Sequence, residues 1–245
     1  MQCVNCKQYA QEILDEVKAM PNKRGLVIIT VGEDEASKSY VKGKIKDCEY
    51  CGIPVEHIKI EDTFDAACKL LDVIQQKNED ENVAGIILQL PLPEHLGDVN
   101  YAEAIVPWKD VDGLGSDSWF EPCTPKGIVY LLEKELGDLT GRQALVIGRS
   151  NLVGRPLAKM LLDKDCTVTV AHSKTSGWDL RHQLKGADIV ISAVGRPDLI
   201  DVSDCECALM VVDVGINRGA NGKLVGDCYG YTEAYYKNTK VTPVP

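Results

Sequence analysis

The chain has 245 residues, 44% hydrophobic and 26% charged, a balance typical of a globular protein with one large or two ordinary domains. Its formal net charge is −10, which argues against general binding to nucleic acids or anionic membranes, since both are polyanions. No apolar run approaches the ~20 residues of a membrane span, and residues 1–6 lack the basic and apolar regions of a signal peptide. An anionic substrate would therefore need a local basic patch.

Strands and helices alternate along the first half of the chain, as judged from the periodicity of apolar residues. The predicted elements are helix 6–19, strand 26–31, helix 37–50 ending at Gly52, strand 55–60, helix 65–76, strand 83–88 and a helical stretch near 101–105. Such alternation indicates a parallel sheet with right-handed crossovers.

Ten cysteines include two C-x-x-C pairs, Cys3/Cys6 and Cys48/Cys51. A zinc site is one interpretation, but the pairs lie farther apart than in a usual zinc ribbon and lack a glycine-rich knuckle. We favour the alternative of buried or half-buried thiols in a reducing compartment. The expectation is a cytoplasmic protein without a metal site.

A polar stripe marks the second helix. Ser37, Tyr40 and Lys44 lie at i, i+3 and i+7, on one helix face. This helix follows strand 26–31, so its start lies at the carboxyl edge of the sheet, where open α/β folds bind ligands. A lysine partly withdrawn from water there is suited to proton transfer. The alternative is a solvated face, the usual setting for lysines. Three more lysines lie on this helix: Lys38, Lys42 and Lys46.

Two further polar groups come from the end of the first half. Strand 83–88 ends at Gln89, whose amide can orient a neighbouring lysine or simply cap the strand. Asp112 lies in the segment Asp110-Val111-Asp112-Gly113. A carboxylate there can accept a pair of N–H donors from a flat heterocycle, whereas Asp-Gly is alternatively a plain turn.

The alternating pattern restarts after a turn-rich stretch, and we place a domain boundary near Glu121. The predicted domains cover residues 1–121 and 122–245. The second domain contains helix 125–134 and strands near 144–147, 167–171, 189–193 and 209–213. The fold class is therefore α/β, with two parallel-sheet domains joined without a flexible linker. Such a pair implies a ligand cleft between the domains.

A glycine turn follows strand 144–147. The segment runs Gly-Arg-Ser-Asn-Leu-Val-Gly-Arg-Pro over residues 148–156 and opens an apolar-periodic segment, 157–162. Strand, glycine turn and helix N-terminus together form a site for a dinucleotide pyrophosphate. The spacing Gly148 to Gly154 departs from G-x-G-x-x-G, so a βαβ turn without nucleotide is the alternative.

The next strand suggests which dinucleotide binds. It ends at His172-Ser173-Lys174-Thr175, where an NAD site usually has Asp or Glu for the ribose hydroxyls. Arg149 directly follows the first glycine. Basic and hydroxyl groups suit a 2′-phosphate, so the second domain is predicted to be a Rossmann-type domain that binds NADP.

Taken together, these motifs resemble those of the bifunctional methylenetetrahydrofolate dehydrogenase/methenyltetrahydrofolate cyclohydrolase family. Each motif alone is weakly specific, whereas their occurrence in family order along nearly the whole chain is highly specific. The matching segments are residues 37–46, Leu88-Gln89-Leu90-Pro91-Leu92-Pro93, Lys109-Asp110-Val111-Asp112-Gly113, Pro122-Cys123-Thr124-Pro125-Lys126-Gly127, residues 148–156, His172-Ser173-Lys174-Thr175, Asp213-Val214-Gly215-Ile216-Asn217-Arg218, Gly226-Asp227 and Thr242-Pro243-Val244-Pro245.

The resemblance implies a role for each part of the first domain. Lys44 would transfer protons, Gln89 would hold and tune it, Tyr40 would stack on the folate, and Asp112 would anchor the pterin ring. The implied catalytic residues are Lys44, Gln89, Asp112 and Tyr40. The implied substrate-binding residues are Ser37, Tyr40, Lys44, Gln89, Leu90, Pro91 and Asp112.

The resemblance also implies how the cofactor is held, with Arg149 and Ser173 on the NADP 2′-phosphate. The implied cofactor-binding residues are Gly148, Arg149, Ser150, Gly154, His172, Ser173 and Ile216. The expected activity is NADP-dependent oxidation of methylenetetrahydrofolate and hydrolysis of the product to formyltetrahydrofolate, in one-carbon metabolism and purine biosynthesis. A homodimer is expected.

The family pattern continues after Thr242-Pro243-Val244-Pro245 with a Gly-Gly-Val-Gly-Pro-Met-Thr loop and a last helix. A polypeptide ending at Pro245 would therefore lack part of the frame around folate and nicotinamide. Three other interpretations stay open: a cyclohydrolase with poor NADP binding, a different NADP-linked two-domain dehydrogenase, and a non-catalytic NADP-binding module. A different dehydrogenase would have no reason to keep Tyr40, Lys44, Gln89 and Asp112. A non-catalytic module would bind NADP without turnover.

Overall fold

A computed structural model describes residues 2–219, 222–231 and 239–242, apart from the side chains of residues 35 and 36. The chain divides into two compact units. One unit spans Ala10–Pro122, and the other combines the segment up to Tyr9 with the chain from Cys123 onward. None of the described helices is both long enough and apolar enough to cross a membrane.

The elements of the first half alternate as predicted. They are β1 (Gln2–Cys3), α1 (Cys6–Ala19), β2 (Gly25–Val31), α2 (Glu35–Cys51), β3 (Val55–Ile60), α3 (Ala66–Glu79) and β4 (Val83–Leu88), followed by short 3-10 helices at Glu94–Leu96 and Tyr101–Ala104. The 3-10 helix at Tyr101–Ala104 replaces the helical stretch predicted near 101–105.

A three-stranded parallel sheet with strand order β3-β2-β4 lies at the centre of the Ala10–Pro122 unit. Successive residues of β2 point to opposite faces, so Ile29 packs on α3 residues such as Leu70, while Ile28 packs with Val41 of α2. Helix α2 thus covers one face of the sheet, and its first half lies over the carboxyl ends of the strands.

Local signals set both ends of α2. The Asp34 carboxylate accepts a hydrogen bond from the Ser37 backbone N–H at 2.6 Å, an N-cap that satisfies an otherwise orphaned donor. Gly52 adopts a left-handed conformation with φ of 70°, and its N–H bonds back to the last turn. The predicted stop at Gly52 is confirmed, because a residue without Cβ enters this conformation at no steric cost.

The remaining elements build the second unit. They are α4 (Cys123–Leu136), β5 (Gln143–Ile147), α5 (Gly154–Leu162), β6 (Thr167–Ala171), α6 (Gly177–Gly186), β7 (Ile189–Ser192), β8 (Ile200–Asp201), a 3-10 helix (Val202–Asp204), β9 (Met210–Asp213), β10 (Asn217–Arg218), β11 (Leu224–Val225), β12 (Cys228–Tyr229) and β13 (Lys240–Thr242).

Six parallel strands form the main sheet of this unit, in the order β1-β13-β9-β7-β5-β6. Apolar residues pack on both of its faces, as is usual when helices cover a parallel sheet on two sides. The α/β class and the parallel sheets are therefore as predicted. Of the predicted motif at 242–245, only Thr242 lies within the described residues.

The prediction that residues 1–121 form one domain is wrong at its beginning. Strand β1 pairs in parallel with β13, so the start of the chain adds an edge strand to the second sheet. The Val4 N–H donates to the Val241 carbonyl at 2.9 Å, and the Tyr9 hydroxyl donates to Glu135 at 2.7 Å. A two-residue strand has no readable period, so the sequence carried no signal for this pairing.

Candidate active site

Three predicted residues meet at the carboxyl edge of the three-stranded sheet. The Lys44 Nζ donates a hydrogen bond to Gln89 Oε1 at 3.2 Å and lies 3.6 Å from Asp112 Oδ2. The side chains of Lys44 and Asp112 are 32% and 21% exposed. An ammonium group is therefore held between an amide oxygen and a carboxylate, and it stays accessible from solvent.

The orientation of Gln89 follows from its position directly after β4. Its backbone N–H donates to the Ile29 carbonyl at 2.9 Å, which continues the ladder by one residue. Its Nε2 donates to the Leu90 carbonyl at 2.8 Å. With the amide N–H group used in this way, the side-chain oxygen is the atom that faces Lys44.

A bridge to β4 positions the loop that carries Asp112. Asp110 forms a parallel β-bridge with Ile86, and the buried Asp110 carboxylate accepts a hydrogen bond from the Gly115 N–H at 2.8 Å. Gly113 has φ of 68°, and a Cβ there would lie 2.6 Å from the Phe120 carbonyl oxygen. The turn therefore requires glycine, and Asp112 is fixed between two anchored residues.

Lys109 anchors the same loop from its other end. Its buried ammonium group donates to the carbonyls of Lys77, Asn78 and Asp80 at 2.9, 2.7 and 2.8 Å. These carbonyls lie at the end of α3, where helical carbonyls lack intrahelical partners. The sequence analysis gave Lys109 no role, although a lysine in a motif otherwise made of turn residues was a usable signal.

The other predicted substrate-binding residues lie near this group. Ser37 is buried, and its hydroxyl donates to the Leu90 carbonyl at 3.3 Å. The peptide bond between Leu90 and Pro91 is cis. Tyr40 lies on the same helix and is 54% exposed. The structure thus joins Ser37 to the segment after β4 and leaves the Tyr40 ring available to a ligand.

Lys44, Gln89 and Asp112 together can bind a proton and transfer it at one atom, Lys44 Nζ. Lys44 can donate from Nζ as an ammonium or accept there once it is neutral, while Gln89 keeps that atom in position. The Asp112 carboxylate can accept N–H donors from a planar ligand. The geometry therefore suits proton transfer next to a bound heterocycle.

The glycine turn of the second unit requires glycine at two positions. Gly148 has φ of 121°, and a Cβ at this position would collide with the Ala193 carbonyl. A Cβ on the buried Gly154 would collide with the Gly148 carbonyl, so α5 can begin against the turn only without a side chain there. The Ser150 hydroxyl accepts hydrogen bonds from the N–H groups of Val153 and Gly154, at 3.2 and 3.4 Å.

The predicted phosphate-binding groups lie next to this turn. The Gly148 N–H donates to the Ala171 carbonyl at the end of β6, so the turn at 172–175 follows immediately beside it. The His172 Nδ1 accepts from the Lys174 N–H at 3.2 Å, which orders that turn. Arg149 and Ser173 are exposed, as is Ile216. A backbone cradle beside an exposed guanidinium fits a dinucleotide with an additional phosphate.

Two buried aspartates that the sequence analysis left without a role organise the neighbouring loops. The fully buried Asp227 carboxylate accepts hydrogen bonds from five donors. These donors are the Ser192 hydroxyl, the Val194, Gly195 and Arg196 N–H groups and the Asn217 amide. Ser192 ends β7, the three N–H groups follow it, and Asn217 begins β10, so one carboxylate joins these two segments near the carboxyl edge of the sheet.

Asp213, at the end of β9, in turn positions the segment that carries Asp227. Its carboxylate accepts from the N–H groups of Gly215, Asp227 and Cys228 and from the Tyr231 hydroxyl, at 2.9 to 3.1 Å. A Cβ on Gly226 would collide with this carboxylate. In the sequence, an acidic residue lies close to a glycine in both Asp213-Val214-Gly215 and Gly226-Asp227. This pattern was the available signal for the two buried carboxylates.

Neither C-x-x-C pair forms a cluster with other metal ligands. Within the described ranges, no group of three or more His, Cys, Asp or Glu side chains could hold a metal ion. No disulfide links any of the ten cysteines, all of which the structure describes. Cys48 and Cys51 are buried, and burial raises the pKa of the Cys48 thiol.

Comparisons with known proteins match both halves of the chain. Residues 4–112 match the family model for the tetrahydrofolate dehydrogenase/cyclohydrolase catalytic domain. Residues 122–245 match the model for the NAD(P)-binding domain of the same family. The bifunctional protein FolD of Bacillus licheniformis is 43% identical over 97% of this chain and 85% of its own length.

Solved structures agree with these matches. The bifunctional FolD methylenetetrahydrofolate dehydrogenase/cyclohydrolase of Campylobacter jejuni has a TM-score of 0.91 and 38% identity, over 100% of this chain and 92% of that one. The Trypanosoma brucei FolD, solved with NADP cofactor and inhibitor, has a TM-score of 0.86 and 28% identity, over 99% of this chain and 90% of that one. The chain therefore belongs to the tetrahydrofolate dehydrogenase/cyclohydrolase family.

Proposed function

We propose that this protein oxidises methylenetetrahydrofolate to methenyltetrahydrofolate with NADP+ and hydrolyses that product to formyltetrahydrofolate. The observation that carries the proposal is the placement of Lys44 Nζ between Gln89 Oε1 and Asp112 Oδ2, in a chain whose two halves both match the family. The reactions belong to one-carbon metabolism and supply formyl groups of the kind that purine biosynthesis uses.

The folate is held by the residues at the carboxyl edge of the first sheet. Asp112 accepts the paired N–H donors of the pterin edge, and the exposed Tyr40 ring stacks on the flat part of the ligand. Ser37, Leu90 and Pro91 line the approach to the one-carbon bridge. Binding through fixed groups aligns the bridge for reaction, and alignment is the main need of the oxidation step.

NADP+, when bound, supplies the acceptor for the hydride that leaves the one-carbon bridge. The Gly148 to Gly154 turn and the start of α5 would hold its pyrophosphate. Arg149 and Ser173 would hold the 2′-phosphate, and His172 and Ile216 would complete the cofactor site. Support comes from the glycine cradle, in which a Cβ would collide with backbone, and from the exposed Arg149 beside it.

The cyclohydrolase step needs proton movement at a defined place. Water adds to the cationic methenyl carbon and loses one proton, which gives a neutral carbinol. The carbinol hydroxyl then loses its proton to form the formyl C=O as the bond from that carbon to a ring nitrogen breaks. The ring nitrogen gains one proton, and the other is released to solvent. Neutral Lys44 can accept the proton from the water and return it to the leaving nitrogen. Gln89 keeps Nζ in one position through its oxygen, so it acts as a positioning residue.

The test is an absorbance assay with methylenetetrahydrofolate, run once with NADP+ and once with NAD+. We expect formation of reduced cofactor with NADP+, followed by decay of the methenyl absorbance as the ring opens. No turnover with either cofactor would contradict the dehydrogenase assignment. Stable methenyltetrahydrofolate that decays no faster than without enzyme would contradict the cyclohydrolase assignment.

We also propose a cytoplasmic homodimer. The absence of disulfides among ten cysteines fits a reducing compartment. Strand β6 is an edge of the described six-stranded sheet, and its Val170 is 38% exposed. An exposed apolar edge strand offers unpaired backbone groups to a second copy. Sedimentation equilibrium of the parent and of Val170→Lys distinguishes a dimer through this edge from a monomer.

A further inference from the structure

Two tryptophans of the Ala10–Pro122 unit lie side by side on its surface. Trp108 directly precedes the segment that bridges to β4, and Trp119 lies near the end of the same loop. The centroids of their rings are 5.7 Å apart, and the ring planes are inclined by 52°. Trp108 is 50% exposed and Trp119 is 73% exposed, so indole surface that proteins usually bury faces solvent.

The backbone under both tryptophans is held by hydrogen bonds. The Trp119 N–H donates to the Pro107 carbonyl at 3.1 Å, which ties the two ends of the loop together. The Ile86 N–H donates to the Lys109 carbonyl at 2.7 Å, which ties the residue after Trp108 to β4. Both indoles therefore extend from an ordered backbone, and a ligand would find them already in place.

The two rings form part of the wall of a cavity of about 820 Å³. Arg24 and Val83 also line it, and these residues lie where β2 and β4 begin. The cavity is therefore at the amino edge of the sheet, whereas Lys44 lies at the carboxyl edge. It has the volume of a small-molecule site, and none of its lining residues belongs to the proposed folate or NADP sites.

Four charged side chains line this cavity: Arg24, Glu79, Glu81 and Lys109. The Lys109 ammonium group is buried and donates to three carbonyls, so it is not available to a ligand. The other three side chains are exposed, and the described residues place no ion-pair partner next to any of them. The cavity thus presents two carboxylates and one guanidinium group to a ligand.

These groups favour a cationic ligand over a neutral or an anionic one. The face of an indole ring carries negative potential and attracts cations more strongly than other aromatic side chains do. The two carboxylates add negative charge, and the chain as a whole has a net charge of −10, which also attracts cations. A neutral ligand would use the rings but leave both carboxylates unused, and an anion would be attracted by Arg24 alone.

We propose that the cavity lined by Trp108 and Trp119 binds a small organic cation of the alkylammonium class. The cationic group lies against the indole faces, and Glu79 and Glu81 supply the opposite charge. The site goes beyond the proposed function, because it uses neither the residues around Lys44 nor the glycine turn of the second unit.

The experiment uses choline as the probe and dimethylbutanol, its uncharged isostere, as the matched ligand. Each is titrated into nitrogen-labelled protein at constant ionic strength, and the indole N–H signals of the three tryptophans are followed by NMR. Trp178 is an internal control, since it is 75% exposed but lies on α6, away from the cavity. We expect choline to shift the signals of Trp108 and Trp119 with millimolar affinity and to leave that of Trp178 in place.

Substitutions then test each part of the site. Trp108→Leu and Trp119→Leu should each weaken choline binding about 3- to 30-fold, as loss of a cation–π contact does. Glu81→Gln should weaken it about 2- to 5-fold, and Arg24→Met should strengthen it by a similar factor, because both contacts are exposed to solvent. Glu49→Gln is the control, since Glu49 is exposed on α2 and does not line the cavity.

Three outcomes would overturn the proposal. Equal affinity for choline and dimethylbutanol would show that only apolar contact matters. Weaker choline binding by Arg24→Met would show that charge acts in the opposite sense. Shifts of the Trp178 signal as large as those of Trp108 and Trp119 would show a general attraction to exposed indoles. All the substituted side chains are exposed, so the variants should fold, and a Trp178 signal at the parent position checks this.

Discussion

Lys44 Nζ has two oxygen neighbours, the neutral Gln89 Oε1 and the charged Asp112 Oδ2, and the two have different roles. Gln89 Oε1 fixes the position of Nζ without changing its charge. Asp112 Oδ2 lies slightly farther away, at 3.6 Å, so the carboxylate keeps lone pairs for a ligand. Proton transfer and pterin binding thus fall to adjacent residues, and substitutions separate the two tasks.

Replacing Lys44 with methionine should abolish the cyclohydrolase step and leave NADP affinity nearly intact. The side chain keeps its length but loses the group that exchanges protons, a loss that typically costs ~10²–10⁴-fold. The measurement is the decay of methenyltetrahydrofolate absorbance, with Lys46→Met as the control. Hydrolysis at the parent rate by Lys44→Met would contradict the assignment.

Asp112→Asn should weaken folate binding and lower both activities together. The amide retains the shape but places a donor where the pterin also presents donors, a mismatch that costs ~2–3 kcal/mol, or about 30- to 150-fold in affinity. Fluorescence titration with folate and assays of both steps measure this. If only one activity fell, or folate affinity stayed normal, Asp112 would be an ordinary turn residue.

Arg149→Ala should weaken NADP far more than NAD, because only NADP presents the additional phosphate. A charge-assisted contact of this kind contributes ~1.5–3 kcal/mol, or roughly 10- to 150-fold in affinity. Titration calorimetry with both cofactors gives the ratio. Arg181→Ala is the control, since Arg181 is also exposed and lies on α6, outside the proposed cofactor-binding residues. An unchanged NADP/NAD affinity ratio in Arg149→Ala would reject the role.

At the scale of elements, sequence periodicity predicted most of what surrounds the candidate site. Strands β3, β4 and β6 and helix α1 match their predicted bounds, and α2 extends the predicted helix by a few residues at its ends. These elements have strong apolar periods or clear caps. The juxtaposition of Lys44, Gln89 and Asp112 was implied by the family resemblance, because no local pattern specifies which side chains meet across a sheet edge.

Helix α6 was not predicted, and weak amphipathicity explains this. It runs over Gly177–Gly186 with polar residues on most faces, and Leu184 is its one buried residue. A usable signal lies at its start, where the Ser176 hydroxyl accepts from the Asp179 N–H at 3.1 Å. Ser-x-x-Asp resembles a capping box, which marks a helix N-terminus even where periodicity is absent.

The buried Asp227 gives a prediction for the loops around the proposed cofactor site. Asp227→Asn places an amide donor among five donors, so we expect a loss of ~2–4 kcal/mol in unfolding free energy and weaker NADP binding. Urea denaturation and NADP titration measure these effects. Asp163→Asn is the control, because Asp163 is exposed on the same unit. Equal stability of Asp227→Asn and the control would contradict this account.

At the scale of the whole molecule, one carboxylate joins segments that lie far apart in sequence. Glu135 accepts a hydrogen bond from the Tyr9 hydroxyl at 2.7 Å and forms an ion pair with Lys240 at 2.7 Å. The Lys240 ammonium and the Tyr9 hydroxyl hold the pKa of Glu135 below its ordinary value of 4.5. The contact therefore joins β13 and the first part of α1 to α4.

This pKa shift predicts how stability depends on pH. A carboxyl group with a lowered pKa in the folded state stabilises the fold above about pH 4.5, and that contribution is lost as pH falls through the folded-state pKa. Glu135→Gln should therefore lower the unfolding free energy by ~1–2 kcal/mol at pH 7 and by less near pH 3. Urea denaturation at both values checks this, and a difference independent of pH would contradict it.

The pairing of β1 with β13 also has a consequence for the order of events during biosynthesis. Gln2 pairs with Lys240, so the ribosome must synthesise almost all of the described chain before this edge can form. Residues 10–122, by contrast, form a contiguous unit whose three strands pair only among themselves. The unit that carries Lys44 can therefore fold while synthesis continues, whereas β1 stays without its partner strand until β13 has been made.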